Sequence, residues 1–255
     1  MALQVRRFAC LQDNYGYLIA CSQTGACAAI DTPDANRYLE EAEAAGWSIA
    51  EIWNTHHHWD HAGGNDEIRK AAGAAVIAPA AEAAAIGHVD RAVSHGDRVR
   101  LGDLEAQVID VGGHTKGHIA YWFESEGAAF VGDALFALGC GRLFEGTPQQ
   151  MHASLSRLRA LPPETVIYCA HEYTQANARF ALSVDPENPA LQRYAEKVDL
   201  LRSKNEPTVP TVLAAELEAN PFLRWDDPAL RARLGLQQAE DWEVFAEVRR
   251  RKDAF

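Results

Sequence analysis

The chain has 255 residues, of which 47% are hydrophobic and 24% charged, and a formal net charge of −12. That balance predicts a soluble globular protein built as one large domain or as a domain with an appendage. No apolar run approaches the ~20 residues that a membrane helix needs, and an acidic body is a poor general ligand for nucleic acid. In chain order, Tyr15–Cys21 and Ala26–Asp31 read as apolar strands joined by a hairpin turn near "SQTG". "TPDANRYLEEAEAAG" reads as a helix capped by Thr32 and closed by Gly46. Ile49–Asn54 is a strand, and "GGNDEIRKAAG" opens a second helix. Leu104–Gly113, Ile119–Ser125 and Gly127–Asp133 alternate like a meander. A Thr147-Pro148 start marks a third helix, and Thr165–His171 is a short buried strand. Beyond His171 the spacing is helical throughout, with Pro and Asn breaks at "DPENP", "EPTVP" and "NPFLRWDDP" and no convincing strand. The pattern predicts an α/β or two-sheet sandwich over residues 1–173 and an all-helical segment over 174–255.

The five cysteines (Cys10, Cys21, Cys27, Cys140 and Cys169) are odd in number and show no C-x-x-C spacing, so they are expected to be buried thiols. The N-terminus lacks the charged start, long apolar centre and small-residue cleavage site of a signal peptide, so the expected location is cytoplasmic. One basic tract departs from the acidic whole: "EVRRRKDAF" at the C-terminus, either an anion site or a solvated helix end.

The strongest signal is "NTHHHWDHAGG", Asn54–Gly64, with four of the ten histidines inside six positions. It follows a strand, where side chains alternate faces. His56 and His58 then share one face and His57 takes the other. Asp60 and His61 follow as the chain turns into a helix. Two imidazoles at i and i+2 can grip one cation, and a carboxylate with the next imidazole can grip a second. Imidazole plus carboxylate suits Zn²⁺, Fe or Mn²⁺. Three further candidates lie at the ends of predicted strands: His114, Asp133 and His171. A carboxylate such as Asp133 can bridge two cations, one on each oxygen.

"THHHWDHAGG", with "GGHTKGH", "VGDALF" and "YCAHEYT" further on, resembles the signature of the metallo-β-lactamase superfamily. Within it the chain is similar to the glyoxalase II (hydroxyacylglutathione hydrolase) family. "DNYGYLI", "GCGRLFEGTPQQM", "HEYTQANARFA" and "RRRKDAF" carry this closer likeness, which spans essentially the whole chain. The resemblance implies an α+β fold, a four-layer αββα sandwich followed by an all-helical C-terminal domain. It implies a catalytic domain over 1–173, a substrate-binding domain over 174–255, and a two-metal site. His56, His58 and His114 would bind the first metal, Asp60, His61 and His171 the second, and Asp133 would bridge them. His57 and Trp59 occupy variable positions, and His118 matches a family histidine that is not a ligand. Tyr173, Arg249 and Lys252 would contact glutathione. Arg142 stands where many members have Lys and keeps the positive charge, while Phe144 stands where some have Tyr, which removes one hydroxyl, and weaker glutathione binding, not loss of function, is expected from that second change.

The implied reaction is hydrolysis of S-D-lactoylglutathione to glutathione and D-lactate, the second step of methylglyoxal detoxification, with two Zn²⁺ per chain (Fe or Mn also fitting). Two cations lower the pKa of a bridging water, Asp60 orients the resulting hydroxide, and the thiolate leaves with little help from an acid. The default assembly is a monomer. The rival readings are a persulfide dioxygenase-like enzyme with one iron, which usually lacks the helical appendage, and a non-enzymatic metal scaffold, which should have lost a ligand. An exported lactamase and a nuclease fit the missing signal peptide and the acidic charge less well.

Overall fold

A computed structural model describes residues 2–255. The chain divides into two compact units, the first running to Asp110 and including Thr115–Gly132, the second comprising Val111–His114 and Asp133–Phe255.

In the first unit a six-stranded sheet runs in the order β1 (Leu3–Cys10), β2 (Asn14–Cys21), β3 (Cys27–Ile30), β4 (Ile49–Trp53), β5 (Ala75–Pro79) and β6 (Arg91–Val93). β1 to β3 pair antiparallel, and β3 to β6 pair parallel. A four-stranded antiparallel meander follows: β7 (Arg98–Leu101), β8 (Leu104–Asp110), β9 (Ile119–Phe123) and β10 (Ala128–Gly132). β2 is buried at every position, which is why it reads as an unbroken apolar run rather than an alternating one. Its alternate residues serve two cores. Leu18 and Ala20 pack with Tyr38 of α1 (Ala35–Ala45) and Ile68 of α3 (Asn65–Ala72). Tyr17 turns the other way, edge-on to Phe130 of β10 at 5.6 Å, while Trp53 stacks on Phe123 of β9 at 5.8 Å. These ring contacts join the two sheets face to face, with helices on the outer face of the first.

The structure corrects local details of the sequence reading. β1 is a strand that its two arginines conceal: Arg6 bonds Glu41 of α1 and Arg7 lies over the Tyr15 ring. The cap of α1 is Asp34, which accepts from Arg37 N at 3.2 Å, and not Thr32, whose hydroxyl bonds Asn65. Two short helices, α2 (Trp59–Ala62) and α4 (Ala83–Ile86), complete the unit.

The second unit contains a two-stranded hairpin, β11 (Leu135–Phe136) and β12 (Gly139–Cys140), and then α5 (Pro148–Arg159), capped by Thr147 as expected. β13 (Val166–Cys169) pairs with β14 (Thr211–Val212), so one short strand does follow His171, inside the stretch read as helical. The helices are α6 (Thr174–Val184), α7 (Pro189–Ser203), α8 (Leu213–Ala219), α9 (Pro228–Leu234) and α10 (Asp241–Asp253). Asn188 caps α7 and Asp227 caps α9, each just before a proline at the first helical turn. The helices close on Leu138, Ala178, Ala181 and Leu191. Residues 133–173 fall in the same unit as these helices, because the β11–β12 hairpin is bonded to them. Among the described residues no helix is long and apolar enough to cross a membrane. All five cysteines are buried thiols, and burial raises Cys10, Cys27 and Cys169 to about 12.

Candidate active site

Each unit carries its own group of ligand-type side chains. In the first, β4 ends at Trp53 and Asn54–His58 form the loop into α2. Asn54 is fully buried and holds this turn by donating to the His61 carbonyl at 3.0 Å. His56 Nε2 lies 3.1 Å from His58 Nδ1, so these two rings share a side. His57 turns away, its Nδ1 2.7 Å from Glu82 Oε2.

The buried carboxylate of Asp31 organises the group. Its Oδ1 accepts Thr55 N–H at 2.8 Å, and its Oδ2 accepts the Thr55 hydroxyl at 2.9 Å and His61 Nδ1 at 2.8 Å. Because the Thr55 proton goes to Asp31, the hydroxyl oxygen is left to accept from His56 Nδ1, 3.0 Å away. The network therefore assigns the proton to Nδ1 in both His56 and His61 and leaves Nε2 as the electron-pair donor, the tautomer a metal ligand requires. Asp31, His56 and His61 are all buried and offer ligand atoms within 4.8 Å of one another. Asn14 donates to Asp60 twice, at its carbonyl and at Oδ2, both 3.2 Å. His118 stacks on His56 with ring centroids 4.5 Å apart. Gly132 has φ +48, and a Cβ there would stand 2.5 Å from Thr55 Oγ1 and 2.8 Å from the His118 ring. The glycine before Asp133 is thus required by this cluster.

In the second unit Asp133 lies between two imidazoles. Its Oδ2 is 3.3 Å from His114 Nε2 and its Oδ1 is 3.3 Å from His171 Nε2. His114 Nδ1 donates to the Arg142 carbonyl at 2.8 Å, which leaves Nε2 as an acceptor facing the carboxylate. Two acceptors facing each other are stable only with a cation at hand, either a proton or a metal ion. The donor chemistry of both groups, neutral imidazoles and carboxylates, fits a borderline divalent metal.

Tyr173 stacks on His171 at 4.7 Å, with Phe136 edge-on to both rings. Phe144 stands edge-on to His114 at 5.2 Å, with Arg142 over its outer face. The hairpin bearing Phe136 is fixed from the helices. Glu216 accepts Leu138 N–H at 2.8 Å, Asn220 donates to the Phe136 and Gly139 carbonyls, and Asn177 to the Ala137 carbonyl. Burial lifts Glu216 above its ordinary carboxyl value.

The C-terminal cations differ in setting. Arg249 is only 5% exposed, lies over the Phe222 ring, and donates to the Cys140 carbonyl at 3.1 Å and to Asp253 at 2.7 Å. Lys252 is partly exposed, packs over Phe180, and is brought down to about 8 by burial and then by the Arg249 charge.

The sequence reading missed Asp31, Asn14, Glu82 and Glu216. Asp31 had a faint signal, an acid closing an apolar strand. Asn14 sat in a quoted motif without a role. Glu82 lies in an alanine-rich tract and Glu216 in a helix, and neither offered any.

Residues 17–171 match the family described as the Metallo-beta-lactamase superfamily, and residues 172–255 the one described as Hydroxyacylglutathione hydrolase C-terminus. The chain is 60% identical over 253 residues to the Hydroxyacylglutathione hydrolase of Maricaulis maris, covering 99% of each chain. It is 57% identical to that of Erythrobacter litoralis, covering 99% of this chain and 100% of the relative. The crystal structure of the BLEG-1 B3 metallo-beta-lactamase superposes with a TM-score of 0.66 at 18% identity, covering 87% of this chain and 99% of that one. The fold is therefore the metallo-β-lactamase fold with a helical C-terminal segment.

Proposed function

The chain belongs to the hydroxyacylglutathione hydrolase family of the metallo-β-lactamase superfamily, and from that premise we propose that it hydrolyses S-D-lactoylglutathione at a two-metal centre. As a class it is a metal-dependent hydrolase of glutathione thioesters. The observation that carries the metal reading is Asp133, whose two oxygens each face an imidazole Nε2 at 3.3 Å. In this reading His56, His58 and His114 would hold one cation, Asp60, His61 and His171 the other, and Asp133 would serve both. Zn²⁺ is the assignment, with Fe or Mn²⁺ accepted by the same donors.

When bound, the metals supply Lewis acidity and a water acidified towards neutral pH. The protein's own groups do the rest. Asp60, held by Asn14, accepts a hydrogen bond from the attacking water and aims its lone pair. Asp31 keeps His56 and His61 in the ligand tautomer. One water adds to the thioester carbonyl, the C–S bond breaks, and the products are the 2-hydroxy acid and glutathione. A thiol of pKa near ~8.5 leaves without a dedicated acid. Lys252, Arg142 and the fixed charge of Arg249 offset the repulsion between an anionic substrate and a body of net charge −12, and Tyr173 contacts the peptide part. The match of residues 172–255 to the hydrolase C-terminus disfavours the dioxygenase-like alternative, which was expected to lack a helical appendage. The reading also places the chain as a monomer in the cytoplasm, a reducing compartment that suits five buried thiols.

The test is hydrolysis of S-D-lactoylglutathione by purified protein, with elemental analysis of the same sample. Turnover with two metals per chain is expected. No thioesterase activity with both metals bound overturns the proposal.

A further inference from the structure

Glu82 takes no part in the chemistry above, yet it is one of the most heavily bonded carboxylates in the first unit. It precedes α4 and is only 6% exposed. Its Oε2 accepts both the backbone N–H of His57 at 2.8 Å and the ring Nδ1–H of His57 at 2.7 Å. Its Oε1 accepts the Thr115 hydroxyl at 2.5 Å and Gly117 N–H at 2.8 Å. Four donors fill the roughly four lone-pair positions of a carboxylate, the condition for burying one at tolerable cost.

These donors come from two loops far apart in sequence. His57 lies between His56 and His58. Thr115 directly follows His114, and Gly117 directly precedes His118, whose ring stacks on His56. A second tie runs alongside, from Ile119 N–H to the Thr55 carbonyl at 2.9 Å. The approach of the second loop is tight. A Cβ at Gly117 would stand 2.7 Å from Ala81 Cβ and 2.8 Å from Glu82 Cγ, so the backbone lies directly on the turn that carries Glu82. His57 is the middle histidine of the run, and this bond gives it a task other than metal ligation. The bond requires only a proton on Nδ1, which the neutral ring supplies as well as the charged one.

We propose that Glu82 is a positioning residue that clamps the His56–His58 loop to the Thr115–His118 loop, with His57 as its handle, and so sets the placement of the histidines that bind metal. The proposal rests on the two-metal reading above. Partners that orient metal ligands typically affect metal affinity by about 10–100-fold when removed. Glu82→Ala strands four donors. Glu82→Gln keeps the volume; its amide oxygen can still serve His57 and its amide NH₂ can donate to the Thr115 hydroxyl, so only the Gly117 bond is forfeited. His57→Ala removes one bond of the four and keeps the backbone bond at that position.

The test uses the full chain as wild type, Glu82→Ala, Glu82→Gln, His57→Ala and the double variant His57→Ala/Glu82→Ala. Zn²⁺ affinity is measured by competition with a chromophoric chelator, beside the melting temperature of the metal-free protein and kcat and KM at saturating Zn²⁺. Glu82→Ala is expected to weaken Zn²⁺ binding by about 10–100-fold, Glu82→Gln by less and His57→Ala by least. The double variant should lose less than the product of the single losses, and KM should hold. If Glu82→Ala does not fold, Glu82→Gln and His57→Ala carry the test. Wild-type Zn²⁺ affinity in the folded variants, even with a lower metal-free melting temperature, overturns the proposal, because Glu82 then supports only the fold. A wild-type chain that binds no Zn²⁺ overturns the metal reading itself, and the proposal with it.

Discussion

Arg249→Ala separates two roles for a cation that the sequence assigned to substrate binding. The guanidinium is buried, with Nη1 on the Cys140 carbonyl at 3.1 Å and Nη2 on Asp253 at 2.7 Å. Truncation removes one buried charged hydrogen bond, worth about 1.5–3 kcal/mol, and leaves the Cys140 carbonyl short of a donor. The Asp253 pair adds at most about 1 kcal/mol, because that carboxylate is 42% exposed. Loss of packing on the Phe222 ring, 5.3 Å away, adds about another 1 kcal/mol. The total is roughly 3–5 kcal/mol. At about 2–4 °C per kcal/mol for a chain of this size, the melting temperature should fall by at least ~6 °C. Differential scanning calorimetry of the metal-loaded protein reads this directly, and KM for S-D-lactoylglutathione on the same sample reads substrate binding. A variant that melts within 2 °C of wild type (roughly one kcal/mol) while KM rises more than tenfold would refute the structural role and return Arg249 to the substrate alone.

Lys252 carries the mobile part of that charge. With its value lowered to about 8, the ammonium is mostly present a unit below that pH and mostly lost a unit above it, so KM should rise about three- to fourfold between pH 7 and 9 if the contact is worth ~1 kcal/mol. Lys252→Arg should remove the rise, since arginine stays charged throughout, and an unchanged inflection near pH 8 in that variant would exclude Lys252 as its source. Asp31→Asn should weaken metal binding by about 10–100-fold, because an amide cannot accept from Thr55 N–H, the Thr55 hydroxyl and His61 Nδ1 together. Elemental analysis after dialysis checks it, and full metal retention would show that the His56 and His61 tautomers do not depend on Asp31.

What the sequence showed and what it hid follow from how each feature is encoded. The H-x-H-x-D-H string stood out because the metal ligation proposed for it needs rare residue types at fixed spacing on one strand end. β2 and the capped α5 were legible because burial and capping leave periodic or positional marks. β1 was not: Arg6 and Arg7 break its apolar alternation, and their partners Glu41 and Tyr15 are visible only in three dimensions. β14 is two residues long and exists by pairing with β13, so no local propensity marks it. The surroundings of Arg249 were hidden for a related reason, since a basic tract looks alike whether its charges face water or a buried carbonyl.

The supporting groups share one physical trait that the string search could not see. Asp31, Glu82 and Asp133 are buried at 5%, 6% and 6% exposure, and the first two are met by N–H, O–H and imidazole donors. Burying a carboxylate costs several kcal/mol unless hydrogen bonds and positive charge offset it. Hydrogen bonds do this for Glu82, whose four donors fill its acceptor positions. Asp133 is set differently: it faces two imidazole nitrogens, one of them left as an acceptor by the Arg142 carbonyl. The two carboxylates therefore differ in kind. Glu82 meets N–H and O–H donors, while Asp133 faces the imidazole nitrogens that a bound metal would share with it. Metal removal should accordingly disturb the surroundings of Asp133 and leave the Glu82 clamp in place.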